Sequence, residues 1–154
     1  MATDPPRAWI DTNVILRFLL KDHDEYFQAV YPLFEKAARG EIILLLHPLT
    51  LAELVWTLES FYGYGKEEIR RSLSDFIEAD GIEVHDREIV RGALSDYEEK
   101  NVDYIDAYIA AYARQKGPET IYTLDRKHFS RIEGDIIFLQ NGDNHEKGRA
   151  GPPR

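Results

Sequence analysis

Apolar residues recur at two different spacings along this chain, and the spacings predict alternating strands and helices. Short, nearly continuous apolar runs, typical of strands, occur at residues 7–10, 42–46, 82–84, 120–123 and 136–139. Elsewhere apolar residues return every three or four positions, typical of helices with one buried face, at residues 13–21, 24–38, 50–61, 66–79, 87–100 and 103–116. The alternation predicts an α/β fold in which helices cover both faces of a mostly parallel sheet.

The length of 154 residues fits a single domain. We assign that domain to residues 1–140, because no long linker divides the chain. Residues 141–154 are polar and rich in glycine and proline, a composition that predicts a disordered tail.

Composition excludes several classes of chemistry. The chain has no cysteine, so disulfides, thiolate zinc sites and cysteine nucleophiles are ruled out. The absence of cysteine suits a reducing compartment. No apolar run approaches the ~20 residues of a membrane span, and the first residues do not resemble a signal peptide, so the expected location is the cytoplasm. A net charge of -9 disfavours nucleic-acid binding through the overall field. It is explained either by solvated acidic surfaces or by an acidic pocket that holds a metal.

Four carboxylates stand where strands or loops are predicted to pass into helices: Asp11, Glu53, Asp106 and Asp125. In a parallel α/β sheet these passages lie along the edge where ligands bind. Two carboxylates about 4 Å apart repel by roughly 4 kcal/mol at an effective dielectric near 20, and a hard cation such as Mg²⁺ relieves that repulsion. The crossover rule allows the strands that end at Asp11 and Asp125 to be neighbours at the centre of the sheet.

Each carboxylate also has a local structural explanation. Glu53 could form a capping box with the threonine three residues earlier. Asp11 and Asp125 could cap the helices that follow them, and Asp103 could cap the helix that contains Asp106. Because Asp103 is the better placed cap, Asp106 is the preferred metal ligand of the two.

Two polar residues are candidates to support the carboxylates. Asn13 lies two residues after Asp11, and Thr123 lies two residues before Asp125, so each can face the same side as its acid. Such neighbours orient metal ligands through hydrogen bonds. The alternatives are a helix cap for Asn13 and an ordinary strand residue for Thr123.

Four segments, in this order, resemble the successive motifs of PIN-domain proteins and, within that family, the VapC-type toxins of prokaryotic toxin–antitoxin pairs. They are DTNVILR at 11–17, TLAELV at 50–55, VDYIDAYIAA at 102–111 and YTLDRKHF at 122–129. The likeness covers roughly residues 8 to 139, and four ordered motifs are far more specific than an isolated DTN.

The resemblance implies an α/β/α sandwich, Mg²⁺- or Mn²⁺-dependent cleavage of RNA, a homodimer, and a cognate antitoxin that plugs the site. It implies metal-binding carboxylates with two supporting residues: Asp11, Glu53, Asp106 and Asp125, with Asn13 and Thr123. On this basis Asp11 and Asp106 bind the metal directly, and Glu53 and Asp125 complete its shell directly or through water.

Other residues are candidates for contacts with RNA or with a partner. Basic residues near the acidic edge could bind phosphate or could simply be solvated: Arg17, Lys21, Arg126, Lys127 and Arg131. Aromatic residues of the first half could form a groove for a partner helix or belong to the core: Tyr26, Phe27, Tyr31, Phe61, Tyr62 and Tyr64. Packing or a dimer contact explains the stripe Tyr104, Tyr108 and Tyr112 better than base stacking. No catalytic partner is predicted for His47, His85 or His128.

Two alternatives to the ribonuclease remain open. The chain could be a PIN-like binding module with little hydrolytic activity that acts through a protein partner; the complete set of four acids disfavours this. An aspartyl phosphatase with Asp11 as its nucleophile is further disfavoured, because Asn13 occupies the place where that chemistry usually needs a second acid.

Overall fold

The computed structural model describes residues 3–140, in which seven helices and five strands follow one another. The strands are β1 (Arg7–Trp9), β2 (Ile43–Leu46), β3 (Ile82–Val84), β4 (Thr120–Thr123) and β5 (Asp135–Phe138). The helices are α1 (Thr12–Leu20), α2 (Asp24–Ala38), α3 (Pro48–Ser60), α4 (Lys66–Glu78), α5 (Arg87–Glu99), α6 (Tyr104–Lys116) and α7 (Arg126–Phe129). The predicted elements are confirmed, most of them to within a residue at each end. The predicted tail at 141–154 lies outside the described residues.

Every strand pairing is parallel, which confirms the predicted α/β sandwich with parallel strands. Strand β2 lies between β1 and β3, and β4 pairs with β5. The expectation that β1 and β4 are neighbours at the centre of one sheet is not met, because residues 3–140 form two separately hydrogen-bonded sheets. The crossover rule restricts the handedness of connections between parallel strands. It does not determine which strands are hydrogen-bonded to each other. The side chains of Trp9 on β1 and Tyr122 on β4 are exposed.

One hydrophobic cluster unites the helices with the first sheet. Leu44 and Leu46, on one face of β2, are fully buried, whereas Ile43 and Leu45 on its other face are partly buried. Three phenylalanines from three helices meet in the cluster: the rings of Phe18 and Phe34 are 4.0 Å apart, and those of Phe34 and Phe76 are 5.9 Å apart. The helical periodicity therefore identified faces that pack together.

The start of α3 differs from the prediction. The helix begins at Pro48, whose missing N–H suits the first helical position, and the Nδ1 atom of His47 accepts a hydrogen bond from the backbone N–H of Leu49 at 3.1 Å. Thr50 is therefore inside the helix, and the capping box proposed for Glu53 does not form. Glu53 is exposed in the second turn of α3.

The aromatic residues divide differently between core and surface than expected. Tyr104 is buried and Tyr112 is exposed, with successive rings of the stripe 6.2 Å apart, so the stripe runs from core to surface. Burial raises the pKa of the Tyr104 phenol above its usual range. In the first half, Tyr26, Tyr31 and Phe61 are exposed, so the core interpretation is wrong for these three.

Candidate metal centre

The turn between β4 and α7 sets the position of Asp125. The Oγ1 atom of Thr123 accepts a hydrogen bond from the backbone N–H of Asp125 at 2.9 Å. The Oδ1 atom of Asp125 in turn accepts from the backbone N–H of His128 at 3.0 Å, so Asp125 is the N-cap of α7. The hydrogen bond from the backbone N–H of His128 is the main cause that holds the pKa of the Asp125 carboxyl below its usual range. The capping interpretation of Asp125 is confirmed, and the cap uses only its Oδ1 atom.

Asp106 approaches Asp125 from the first turn of α6. Burial raises the pKa of the Asp106 carboxyl, the negative charges of Asp103 and Asp125 raise it too, and a hydrogen bond with His128 opposes them. Asp103 is exposed and is the N-cap residue of α6, although its side chain makes no capping hydrogen bond. Asp106, rather than Asp103, is therefore the carboxylate of α6 that lies near Asp125.

His128 joins the two carboxylates, and no catalytic partner was predicted for it from sequence. Its Nδ1 atom is 3.3 Å from Oδ2 of Asp106 and 3.3 Å from Oδ2 of Asp125. The ligand atoms of these three residues lie within 4.8 Å of one another, and they are the one such group of at least three in residues 3–140. The signal for His128 in the sequence was its position three residues after Asp125, because side chains three residues apart are neighbours on a helical turn.

Asp11 and Glu53 are not part of this group. Asp11 follows β1 and caps α1, where its Oδ1 atom accepts from the backbone N–H of Val14 at 3.1 Å. Glu53 lies in the second turn of α3. The strand that Asp11 follows, β1, is not hydrogen-bonded to β4, the strand that precedes Asp125. The structure thus brings together two of the four predicted carboxylates.

The supporting and basic candidates make mainly local contacts. Asn13 is exposed and lines a groove of about 340 Å³ between α1 and α2, together with Arg17 and Tyr26. The guanidinium of Arg17 pairs with Asp22 at 3.2 Å and lies 5.2 Å from the centre of the Tyr26 ring. These contacts hold Arg17 on the α1–α2 side of the molecule.

The basic residues around α7 are closer to the candidate centre in sequence. Arg126 lies over the Phe138 ring, 4.8 Å from its centre. Arg131 donates to the backbone carbonyl of Asn101 at 2.8 Å. Lys127 is exposed on the same short helix as His128. Arg126 and Lys127 are therefore placed beside the carboxylates, and Arg131 has a structural partner. Lys21 is the C-cap residue of α1, and its Nζ atom is 5.7 Å from the centre of the Phe27 ring.

The donor set fits a divalent cation. Two carboxylates approach each other, and the pKa of one of them is raised by burial and by the other's charge. A cation between them would relieve that repulsion. Carboxylate oxygens and an imidazole nitrogen are ligands for divalent metals. The arrangement can hold such an ion, and Asp106, Asp125 and His128 are the residues that would do so.

No helix in residues 3–140 has the length and hydropathy needed to cross a bilayer.

Comparisons with known proteins agree with the fold. Comparison with curated protein sequences gave no match. Among solved structures, this chain is similar to a chain of VapBC2 from Rickettsia felis, in a structure that also contains a DNA fragment from the VapBC2 promoter. The two chains are 22% identical, and the match covers 86% of this chain and 97% of that chain. Its TM-score of 0.37 is too low to support a functional argument. The family model described as "PIN domain" matches residues 8–135, which is most of the chain, and the chain therefore belongs to the PIN domain family, a family of nucleases.

Proposed function

We propose that this chain is a metal-dependent endoribonuclease, a phosphodiester hydrolase, and that it is the toxin of a type II toxin–antitoxin pair acting in the cytoplasm. The observation that carries the proposal is that Asp106, on α6, and Asp125, at the start of α7, approach each other beside the imidazole of His128. PIN-domain membership supports the nuclease assignment. The resemblance of its four motifs to VapC-type toxins supports the narrower assignment to RNA.

In this proposal the carboxylates hold Mg²⁺ or Mn²⁺. Such an ion activates water and neutralises charge on the phosphate when it is bound. Asp106 and Asp125 bind it directly, and Asp11 and Glu53 complete the site. Since Asp11 follows β1, whose outer edge is unpaired within residues 3–140, its participation requires that edge to approach β4.

Neighbouring residues orient the ligands and the substrate. Thr123 holds the Asp125 turn through its hydrogen bond to the Asp125 backbone N–H, and Asn13 plays the corresponding part beside Asp11. Arg126 and Lys127, on the same turn as Asp125, contact the RNA phosphates. These local positive charges are needed because the net charge of -9 repels a polyanion.

A cleavage assay tests this proposal. The purified chain is incubated with defined tRNA, rRNA and mRNA in Mg²⁺, Mn²⁺ or EDTA, and the ends are mapped. Asp106→Asn and Asp11→Asn are expected to lose cleavage while remaining folded. Asp75→Asn is the matched control, because it removes the same charge from an exposed position on α4. Full activity in Asp106→Asn would show that the site is wrongly assigned.

The second candidate function is a weakly catalytic binding module. What favours it is that Asp11 and Glu53 stand apart from the three-residue group. Calorimetric titration with Mg²⁺ and Mn²⁺ separates the two candidates. Binding at or below millimolar concentrations supports the nuclease, and its absence supports the module.

Two surfaces support the proposed protein partners. An apolar cavity of about 310 Å³ lies between α3 and α6, lined by residues that include the exposed Leu49, Ile105 and Ile109. Exposed apolar patches of this kind mark interaction sites, and we assign this one to the homodimer. Leu49→Glu with Ile109→Glu should give a monomer by light scattering. The groove beside Tyr26 is assigned to the antitoxin, and Tyr26→Ala should weaken inhibition by it.

A further inference from the structure

The ligand set at the candidate centre contains a nitrogen atom. The Nδ1 atom of His128 is 3.3 Å from one oxygen of Asp106 and 3.3 Å from one oxygen of Asp125. The imidazole is partly buried, with 26% of its side chain exposed. It therefore occupies the space between the carboxylates and is not an incidental surface group.

The backbone of α7 holds His128 in this place. The N–H of His128 donates to Oδ1 of Asp125, so the other oxygen of Asp125, Oδ2, is the one near the imidazole. The next residue, Phe129, is buried in the core and anchors the turn. Asp125 and His128 thus move as one unit, and Asp106 approaches that unit from α6.

The two separations from the Nδ1 atom of His128 are compatible with ligands around one metal ion. With metal–ligand distances near 2.1 Å, adjacent ligand atoms lie ~3.0 Å apart in an octahedron and ~3.4 Å apart in a tetrahedron. Both observed separations from Nδ1 are 3.3 Å, which falls between these values. Nδ1 therefore lies within the range of distances at which it could share a metal with each carboxylate.

We propose that His128 is a direct metal ligand through Nδ1, and that the site consequently prefers Mn²⁺ to Mg²⁺. The inference rests on the proposed function, because it concerns the ion of the same site. Mg²⁺ selects oxygen ligands and retains much of its water. Imidazole is a ligand of first-row transition metals, among which Mn²⁺ binds it most weakly, but Mg²⁺ admits it still less because it selects oxygen ligands. A site of oxygen atoms alone would not make this distinction.

The competing interpretation is that His128 only donates a hydrogen bond to the carboxylates. In that case the imidazole orients the ligands, and the metal has oxygen neighbours alone. Affinity measurements cannot separate the two interpretations, because losing an orienting partner also costs 10- to 100-fold in metal affinity. A spectroscopic readout of the metal–nitrogen bond does separate them.

The experiment uses the full chain loaded with Mn²⁺ and pulsed electron paramagnetic resonance. We expect ¹⁴N modulation of the Mn²⁺ signal in the wild type and its loss in His128→Ala and His128→Gln. His85→Ala is the matched control and should keep the modulation, because His85 is exposed and contacts Asp86 instead. Calorimetry on the same samples should show Mn²⁺ affinity falling at least ~10-fold in His128→Ala, with a smaller loss for Mg²⁺.

The outcomes distinguish this inference from the proposed function. If Mn²⁺ binds and RNA is cut, but the wild type shows no ¹⁴N modulation, His128 is not a ligand and only this inference fails. Modulation that persists in a folded His128→Gln protein overturns it equally, because the nitrogen then comes from elsewhere. If neither Mn²⁺ nor Mg²⁺ binds, the proposed function fails as well.

Discussion

Gly81 joins α4 to β3 at a point where a side chain has no room. Its φ is +79°, and a Cβ atom built on it would lie 2.4 Å from the carbonyl oxygen of Ala37 and 2.6 Å from the carbonyl carbon. Carbon and oxygen atoms ordinarily approach no closer than ~3.3 Å. Ala37 is fully buried on α2, so the obstacle is backbone that cannot rotate away.

The cost of Gly81→Ala has two parts. The left-handed conformation costs a residue with a Cβ about 1–2 kcal/mol. Overpacking against rigid structure costs about 1–3 kcal/mol more, so the expected loss in the free energy of unfolding is about 2–5 kcal/mol. That is a large share of the ~5–15 kcal/mol typical of a folded domain.

Gly40 provides the matched control. Its φ of +76° is nearly the same, but a Cβ atom there would meet nothing within 4 Å. Gly40→Ala should therefore lose only the conformational part, about 1–2 kcal/mol. Urea unfolding followed by circular dichroism measures both variants, with unchanged m-values required for the comparison. Equal losses in the two variants would refute the proposed contact between Gly81 and α2.

Further predictions concern the cap, the substrate, the core and the metal. Asp11→Ala should lose about 0.5–2 kcal/mol of stability with the α1 cap, whereas Asp11→Asn should lose much less because asparagine caps as well as aspartate; equal losses in urea unfolding would contradict the capping role. Replacing Arg126 and Lys127 with alanine should weaken RNA binding and flatten the slope of log affinity against log salt by up to ~1.4, and an unchanged slope would argue against phosphate contacts. Tyr97→Phe should cost about 0.5–1.5 kcal/mol, because the buried phenol loses its hydrogen bond to Glu59; no change in unfolding free energy would mean that this bond contributes nothing. Mn²⁺ at 100 times its Kd should stabilise the wild type by ~2.7 kcal/mol, and a melting temperature unaffected by Mn²⁺ would contradict a site that exists only in the folded chain.

The helices and strands could be predicted because their causes are local. The four residues Ile69, Leu73, Phe76 and Ile77 recur at helical spacing and all become buried. The caps at Asp11 and Asp125 depend on hydrogen bonds to backbone three residues away. The start of α3 was misplaced because the threonine at position 50 matched a capping box, whereas a proline and a histidine cap two and three residues earlier begin the helix.

The candidate site could be predicted only in part. Asp106 rather than Asp103 joins the three-residue group, although the predicted ground for that preference failed in part, since Asp103 is the N-cap residue of α6 but its side chain makes no capping hydrogen bond. His128 was missed as a member of the site, since its contact with Asp106 joins residues 22 apart on different elements. Nothing in the sequence around His128 specifies how α7 lies against α6.

By itself, the sequence determined the alternation of parallel strands and helices and the membership in the PIN domain family, and it proposed four candidate carboxylates, because periodicity, caps and motifs act over a few residues. Only the tertiary structure decided which carboxylates meet. The packing of α6 against the turn after β4 brings Asp106, Asp125 and His128 together. Asp11 is outside this group, and its strand β1 is not hydrogen-bonded to β4. These relations depend on hydrogen bonds and burial between segments distant along the chain, and local patterns do not encode them.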